Sequence, residues 1–388
     1  MKRPIRVVFI IQNLNYGGME RVLHNLARQL PRRGFEVHIV VLEYLGRFAE
    51  GLEDVAIFHQ APPMGRLSLV RPVGLAALLK RIAPDIVHSH SGVWLKAARA
   101  ARLAHVPVVV HTEHGRPDPI PFTDRLIDNM ASRWTQVVIA VSETLAGVLR
   151  RQVMHEPSRV RIITNGVDVE LHRCASNRLE LRNELGIPAD ALVIGSIGRL
   201  EPVKNYALAL RAFVLLGERL EAGLPTFLVL IGDGSERACL EALAAELGID
   251  TQVRFLGWRA DADRFYGAFD LFTLTSHSEG TSISLLEAMS SGVCPVVTDV
   301  GGNRAVLGPA LESLLVPDND EIAVAAAWRR ELKDPKLRTT MGNCARLRVE
   351  QAFSLDRMVE EHVNLYRELV QRSSTQALQN RGERRPEP

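Results

Sequence analysis

Leu271-Phe272-Thr273-Leu274 leads through Thr275-Ser276-His277 into Ser278-Glu279-Gly280-Thr281-Ser282-Ile283-Ser284-Leu285-Leu286-Glu287-Ala288-Met289, and Cys294-Pro295-Val296-Val297 follows. The two outer runs are short and apolar throughout, the pattern of strands covered on both faces. In the middle stretch Thr281 and Ser282 are capping residues, and a helix is expected over Ser282–Ser291. Strand, helix and strand in this order form a parallel crossover unit. The first turn of such a helix presents backbone N–H groups and a positive dipole end, where a diphosphate is a natural guest. Glu279 stands at the strand–helix junction and Glu287 about two turns inside the helix. One carboxylate could reach the sugar of a donor and the other a ribose; two solvent-exposed glutamates are the plainer alternative.

The same alternation extends in both directions. Upstream, strands are expected at Leu192–Ile197, Thr226–Ile231 and Val253–Phe255, with helices at Asn205–Arg219 and Glu236–Leu247. The first half repeats it. Strands are expected at Ile5–Ile11, Glu36–Leu42, Val55–His59, Asp85–His88, Val106–His111, Gln136–Val141 and Val160–Ile163. Helices are expected at Gly18–Arg32, Leu67–Ile82, Val93–Ala104, Phe122–Arg133 and Glu143–Gln152. After Asn165-Gly166-Val167-Asp168 the chain turns polar and irregular to about Pro188. Helices over Glu321–Glu331, Pro335–Gln351 and Ser354–Gln371 close the pattern. The fold class is therefore α/β, with two doubly wound parallel-sheet domains at 1–185 and 186–353 facing a ligand cleft. The polar tail 374–388 is expected to be disordered.

Three further clusters fall at ends of expected strands. Gly198-Arg199-Leu200-Glu201-Pro202-Val203-Lys204-Asn205 puts Arg199 and Lys204 around a tight turn, two cations suited to a pyrophosphate that gains charge as it leaves. Gln12-Asn13-Leu14-Asn15-Tyr16-Gly17-Gly18-Met19-Glu20-Arg21 opens the first helix with paired glycines that allow close backbone approach to a ligand. It is not G-x-G-x-x-G, so a dinucleotide site is unsupported. In His111-Thr112-Glu113-His114-Gly115 the spacing is not H-E-x-x-H and a third ligand is missing, so metal binding is not expected. A hydrogen-bonding or proton-handling role suits His114 better than His111. His88 and His90 are placed at the wall of the cleft at most.

The bulk numbers fit this reading. The 388 residues exceed one ordinary core, and 46% hydrophobic with 24% charged residues is usual for a globular enzyme. Cys174, Cys239, Cys294 and Cys344 are scattered, against a disulfide framework and in favour of a reducing compartment. Without a signal peptide or a membrane-length apolar run the chain is expected to be cytoplasmic. Residues 1–188 carry 25 Lys+Arg against 17 Asp+Glu, so the remainder is net negative. Ordinary surface variation explains this, as does peripheral contact of the first domain with an anionic membrane or acceptor. No nucleic-acid partner is expected.

Together these residues resemble family 4 of the retaining glycosyltransferases, over about Ile5 to Leu369. The most specific match is the E-x7-E pair Glu279 and Glu287. Tyr16–Glu20, Asn165–Asp168, Gly198–Leu200 with Lys204-Asn205, and Ile231-Gly232-Asp233-Gly234 add to it. The Thr112-Glu113-His114-Gly115 form of the histidine motif is similar to the branch that builds bacterial exopolysaccharides and cell-surface glycans. The resemblance implies the GT-B fold of two Rossmann-like domains, with helix 354–371 crossing back to the first. It implies that Glu279 meets hydroxyls of the donor sugar and Glu287 the ribose. Arg199 and Lys204 would neutralise the diphosphate, helped by backbone N–H groups around Gly280, Thr281 and Ser282. Gly17 and Gly18 would close over the phosphates, His114 would sit near the reacting sugar, and Leu256-Gly257 would lie beside the base. One departure stands out: where the family has Gly-Gly-Asn-Pro-Glu, this chain has Gly301-Gly302-Asn303-Arg304-Ala305, which removes a carboxylate and bears on donor discrimination.

The expected activity is retaining transfer of a sugar from a nucleotide-diphosphate donor to a glycan or lipid-linked acceptor, with no metal and no other cofactor. The leaving diphosphate itself would take the acceptor's proton. A sugar-nucleotide epimerase, which needs no acceptor, is the alternative among enzymes. A catalytically silent sugar-nucleotide-binding subunit is the alternative outside them. An exported sugar-binding protein would need a signal, and none is read.

Overall fold

The computed structural model describes residues 3–382 except 16, 64, 66–68, 70, 117, 172–177 and 218–223. Tyr16, Cys174, the expected helix start at Leu67, the helix end at Arg219 and the final six residues of the tail lie outside the described residues. The chain forms two compact units, Met1–Thr164 with Asp356–Pro388, and Asn165–Leu355.

The first unit is a parallel sheet of β1 (Ile5–Asn13), β2 (Phe35–Tyr44), β3 (Ile57–Gln60), β4 (Ile86–His90), β5 (Val108–Glu113), β6 (Val137–Ala140) and β7 (Val160–Ile162), ordered β3-β2-β1-β4-β5-β6-β7. Its crossovers carry α1 (Gly18–Gln29), α2 (Val73–Ile82), α3 (Trp94–Leu103), α4 (Phe122–Ser132) and α5 (Glu143–Gln152). Val7 to Ile11 are wholly buried, as a central strand covered on both faces requires. Helix α2 begins only after Pro72, later than the apolar spacing predicts, because proline fits the entry of a helix and not its interior.

The second unit is a parallel sheet of β8 (Leu192–Ile197), β9 (Thr226–Ile231), β10 (Val253–Phe255), β11 (Leu271–Leu274), β12 (Cys294–Thr298) and β13 (Leu315–Val316), ordered β10-β9-β8-β11-β12-β13. Its helices are α6 (Arg178–Glu184), α7 (Tyr206–Gly217), α8 (Arg237–Glu246), α9 (Ile283–Ser290), α10 (Asn303–Leu307), α11 (Glu321–Lys333) and α12 (Pro335–Ala352). In both sheets the order reverses beside the first strand, between β1 and β4 and between β8 and β11. Ligands of doubly wound sheets bind at that switch, off the carboxyl ends of the strands.

The units divide at Thr164/Asn165 and not at the expected 185/186. The polar stretch after Asn165 holds helix α6, whose Arg178 and Arg182 grip Asp270 at 2.6 and 2.7 Å. Arg338 of α12 reaches the same carboxylate at 3.3 Å, and the Val193 amide donates to it at 2.8 Å. Val167 also pairs with Ser354, so both ends of the unit's chain lie side by side. The stretch that reads as polar and irregular is thus held by arginines and by the buried Leu181, Leu185 and Ile187.

The last helix, α13 (Leu355–Gly382), returns to the first unit. Arg33 pairs with Asp356 at 3.2 Å, and Tyr366 meets Phe35 edge-on. The helix runs through residues 374–382, where disorder is expected from composition. No proline or glycine interrupts it before Gly382, and Ser374 and Thr375 donate to the carbonyls of Val370 and Gln371. Extending a helix that is already nucleated costs little.

Asp270 ties four elements through one nearly buried carboxylate. Asp270→Ala is expected to destabilise the second unit by about 3 kcal/mol, because Arg182 is left buried without its partner. A denaturant titration read by tryptophan fluorescence and circular dichroism measures the shift in midpoint.

Candidate functional site

In the second unit the turn after β8 and the turn after β11 meet at the switch in strand order. The two expected clusters are joined directly there: Lys204 Nζ is 2.6 Å from Glu279 Oε1, and the Ser276 hydroxyl donates to the same oxygen at 2.6 Å. The Thr275 hydroxyl donates to the Asn205 carbonyl at 2.9 Å and fixes the Lys204 turn against the end of β11. Asn205 takes a left-handed conformation there, which asparagine tolerates better than most residues. Arg199 stands exposed on the neighbouring turn. The glutamates are not the solvent-exposed pair of the plainer reading, since the side chain of Glu279 is 7% exposed and Glu287 is 8% exposed.

Glu287 lies within α9, where the Tyr266 hydroxyl donates to its Oε2 at 3.0 Å. Gly280 leads into buried Thr281 and Ser282 at the start of α9. Ser282 is the N-cap residue, but its side chain does not cap the helix as expected: its hydroxyl lies 3.3 Å from that of Ser284. The Thr281 carbonyl accepts from Asn165 at 2.7 Å, which gives the Asn-Gly-Val-Asp segment a place at this helix start. Leu256 and Gly257 follow β10, and the Gly257 carbonyl accepts from the Gly232 amide at 2.9 Å.

The departing segment Gly301–Ala305 folds back on Glu279. The Gly302 amide donates to the Glu279 carbonyl at 3.1 Å. Gly301 is left-handed at φ +54, and a Cβ there would lie 1.8 Å from that carbonyl oxygen, so only glycine fits. Buried Asn303 holds the Thr298 carbonyl at 2.9 Å, and exposed Arg304 is paired with Asp299 and Glu312.

In the first unit Gly17 and Gly18 lie at the start of α1, after β1. His114 follows β5 and is half-buried; its Nε2 lies 2.9 Å from Nδ1 of His90. Its backbone amide donates to Ser91 Oγ and to Glu113 Oε1, each at 3.0 Å. Glu113 is wholly buried, paired to Arg116 at 2.7 Å and bonded to the Ser91 hydroxyl. His111 and His114 do not converge: His111 stacks on Trp94 at 4.2 Å and bonds Ser89, facing away from the His90 contact.

His88 and His90 lie inside the first unit. Both are wholly buried within β4. His88 is held by Tyr366 at 2.5 Å and Thr112 at 2.7 Å, and stacks on His90 at 4.6 Å. The polar strand end Val87-His88-Ser89-His90 was the signal in the sequence, but a partner 278 residues away is not legible there.

Burial keeps these imidazoles neutral. It holds His88 and His90 far below the usual histidine range, lowers His111, and lowers His114 and His362 to about 4. Burial would raise the Glu113 carboxyl, but His111, Arg116 and Ser91 outweigh it and bring it to about 2. Asp128, also paired to Arg116, is raised by burial to about 7. Among the described residues no group of three or more His, Cys, Asp or Glu side chains is arranged to hold a metal.

Two Rossmann-type sheets, with cations, a buried carboxylate and a helix start gathered at the switch of the second, define a glycosyltransferase of the GT-B class that uses nucleotide sugars. The model described as Glycosyltransferase Family 4 matches residues 16–171, and that described as Glycosyl transferases group 1 matches residues 177–348. The chain belongs to glycosyltransferase family 4. It is 31% identical to a D-inositol 3-phosphate glycosyltransferase of Saccharomonospora viridis, over 74% of this chain and 70% of the relative. It is 27% identical to the UDP-Gal:alpha-D-GlcNAc-diphosphoundecaprenol alpha-1,3-galactosyltransferase of Escherichia coli, over 91% and 94%. The fold is that of Anabaena HepE, solved with UDP and glucose, with a TM-score of 0.81 at 22% identity over 93% of this chain and 99% of that one.

The neutral histidines set a pH dependence. Unfolded, each takes a proton near pH 6.5, whereas in the folded unit burial lowers all of them, His114 and His362 to about 4. Their stabilisation is complete above 6.5 and is lost as pH falls toward 4, by up to about 1.4 kcal/mol per pH unit for each. Asp128 runs the other way, losing its contribution as pH rises from 3.8 toward 7. Burial also lowers His24 to about 4 and lowers His59, so the histidines together outweigh one aspartate and the melting temperature is expected to fall steeply below pH 6.5 in calorimetric scans.

Proposed function

We propose that this enzyme transfers a sugar from a uridine diphosphate donor, with retention at the anomeric carbon and without a metal, to a lipid-linked glycan acceptor in cell-surface glycan synthesis. The observation that carries the reading is the Lys204–Glu279 pair beside the start of α9, at the switch point of the second sheet. Lys204 and Arg199 are assigned to the diphosphate, together with the N–H groups of the Gly280–Ser282 segment, since charge grows on the leaving oxygens in the transition state. Glu279 is assigned to hydroxyls of the donor sugar and Glu287 to the ribose. Leu256 and Gly257 are assigned to the base, Gly17 and Gly18 to the phosphates and His114 to the sugar. The bond from the anomeric carbon to the phosphate oxygen breaks as the acceptor oxygen bonds on the same face. The acceptor's proton passes to the leaving diphosphate. The names of similar proteins support the choice of donor and acceptor, because one uses UDP-Gal and a diphosphoundecaprenol acceptor and another was solved with UDP.

A peripheral position at the cytoplasmic membrane face belongs to the same reading. Among the described residues no helix is long and apolar enough to cross a membrane. Helix α4 instead exposes Phe122, Leu126 and Met130, at 64, 51 and 45%. They recur every fourth residue and so share one face, with exposed Arg125 and Arg133 beside them. An apolar stripe flanked by arginines suits an anionic lipid surface.

In EDTA, purified protein is expected to release UDP from one UDP-sugar when lipid extract supplies an acceptor, and Glu279→Ala to lower that rate about 100-fold or more. An absolute need for a divalent cation, or turnover without acceptor, would overturn the reading. Sedimentation with phosphatidylglycerol vesicles should exceed that with phosphatidylcholine vesicles, and the triple substitution Phe122→Ser, Leu126→Ser, Met130→Ser should abolish the difference. Equal sedimentation of the wild type with both vesicles would remove the membrane from the account.

A further inference from the structure

The contact between His90 and His114 joins two neutral imidazoles, so one nitrogen of the 2.9 Å pair carries the proton and the other accepts it. His90 is wholly buried, with His88 and His114 stacked on it at 4.6 and 5.2 Å and Phe9 at 5.8 Å. Its other nitrogen, Nε2, is buried and has no hydrogen-bond partner among the described residues. If His114 donated, the single proton of His90 would have to sit on that Nε2, leaving an orphaned N–H inside the sheet. Among backbone groups a buried N–H without a partner is rarer than an under-satisfied acceptor, and the same asymmetry favours a bare imidazole nitrogen over an orphaned imidazole N–H. A second proton on His90 would put a charge in the same enclosed place, against burial and the adjacent histidines.

We propose that His90 is a positioning residue that donates from Nδ1 to His114 Nε2 and so fixes His114 as the Nδ1–H tautomer, a hydrogen-bond donor toward an oxygen of the sugar donor. The proposal rests on the reading above that His114 meets that donor, and it goes beyond it by assigning the proton. With Nε2 occupied by His90 and Nδ1 already protonated, His114 has no lone pair for a substrate proton. It therefore serves the reaction as a fixed dipole and not as a base. The clamp of the His114 amide by Ser91 and Glu113 holds the backbone from which the ring projects. This matches the assignment of the acceptor's proton to the leaving diphosphate.

The test is nitrogen-15 NMR of the full chain labelled at histidine, with the His114 signals assigned by their loss in His114→Asn. The wild type should show His114 protonated at Nδ1 and bare at Nε2. His90→Leu should mix the tautomers and lower kcat about tenfold or more with KM little changed. His90→Asn, whose amide can donate from near the former Nδ1, should recover kcat to within about threefold of wild type. His114→Asn, which can likewise offer an N–H near the Nδ1 position, should be more active than His114→Ala. A wild-type His114 protonated at Nε2, full turnover in His90→Leu, or equal losses in His90→Asn and a folded His90→Leu would overturn the proposal. If the wild type transfers no sugar at all, the functional reading fails, while the NMR spectra still decide the tautomer.

Discussion

A parallel sheet covered by helices on both faces gives its polar side chains one way out, the carboxyl edge of the strands. Everything functional in this chain is arranged by that constraint. Along β1 and β8 the interior is mostly apolar, and the motif segments begin where the strands end, at Gln12-Asn13 and at Gly198-Arg199. Polar groups that fall short of the edge must find partners inside. The histidines of β4 do so through Tyr366, Thr112 and His114, and Asp270 does so through three arginines. The first sheet meets the constraint with stacked neutral rings beside the buried Glu113–Arg116 pair, the second with the arginines around Asp270.

That difference bears on how each unit meets a ligand. The Lys204–Glu279 pair is a formal salt bridge only partly shielded from water, so its charges can exchange partners with an arriving diphosphate or sugar hydroxyl at modest cost. The histidine network is uncharged, and moving His88 or His90 would break the contacts to Tyr366, Thr112 and His114. On the proposed reading, the ion pair is suited to respond to a ligand and the histidine network to hold still. A rigid donor group is what stabilisation of a transition state asks for, since a dipole already in place needs no reorganisation at the moment of reaction.

Much of this could be read from the residues in order. Strands such as Thr226–Ile231 and Leu271–Leu274 fall where the apolar runs predict, because a run bounded by polar turns has little freedom in register. The motif segments lie at the strand ends as expected. What could not be read were pairings between separate segments: Lys204 with Glu279, 75 residues on, or His90 with His114 just beyond the neighbouring strand. Local polarity also misled. The stretch after Asn165 reads as polar and irregular because charged residues outnumber the few apolar ones it buries, and β13 was too short to leave a pattern. The hydroxyl of Ser282 pairs with that of Ser284, a choice of rotamer that no capping rule anticipates.

Helix α13 belongs to the first unit, yet it is synthesised after the whole of the second. A ribosome therefore makes the first sheet long before it makes the residue that satisfies His88. Until Tyr366 emerges, the face of β4 that α13 will cover stays open and its buried imidazole lacks one of its two partners. The unit begun first is the last to be completed, and its final polar contact closes only when the chain is nearly finished.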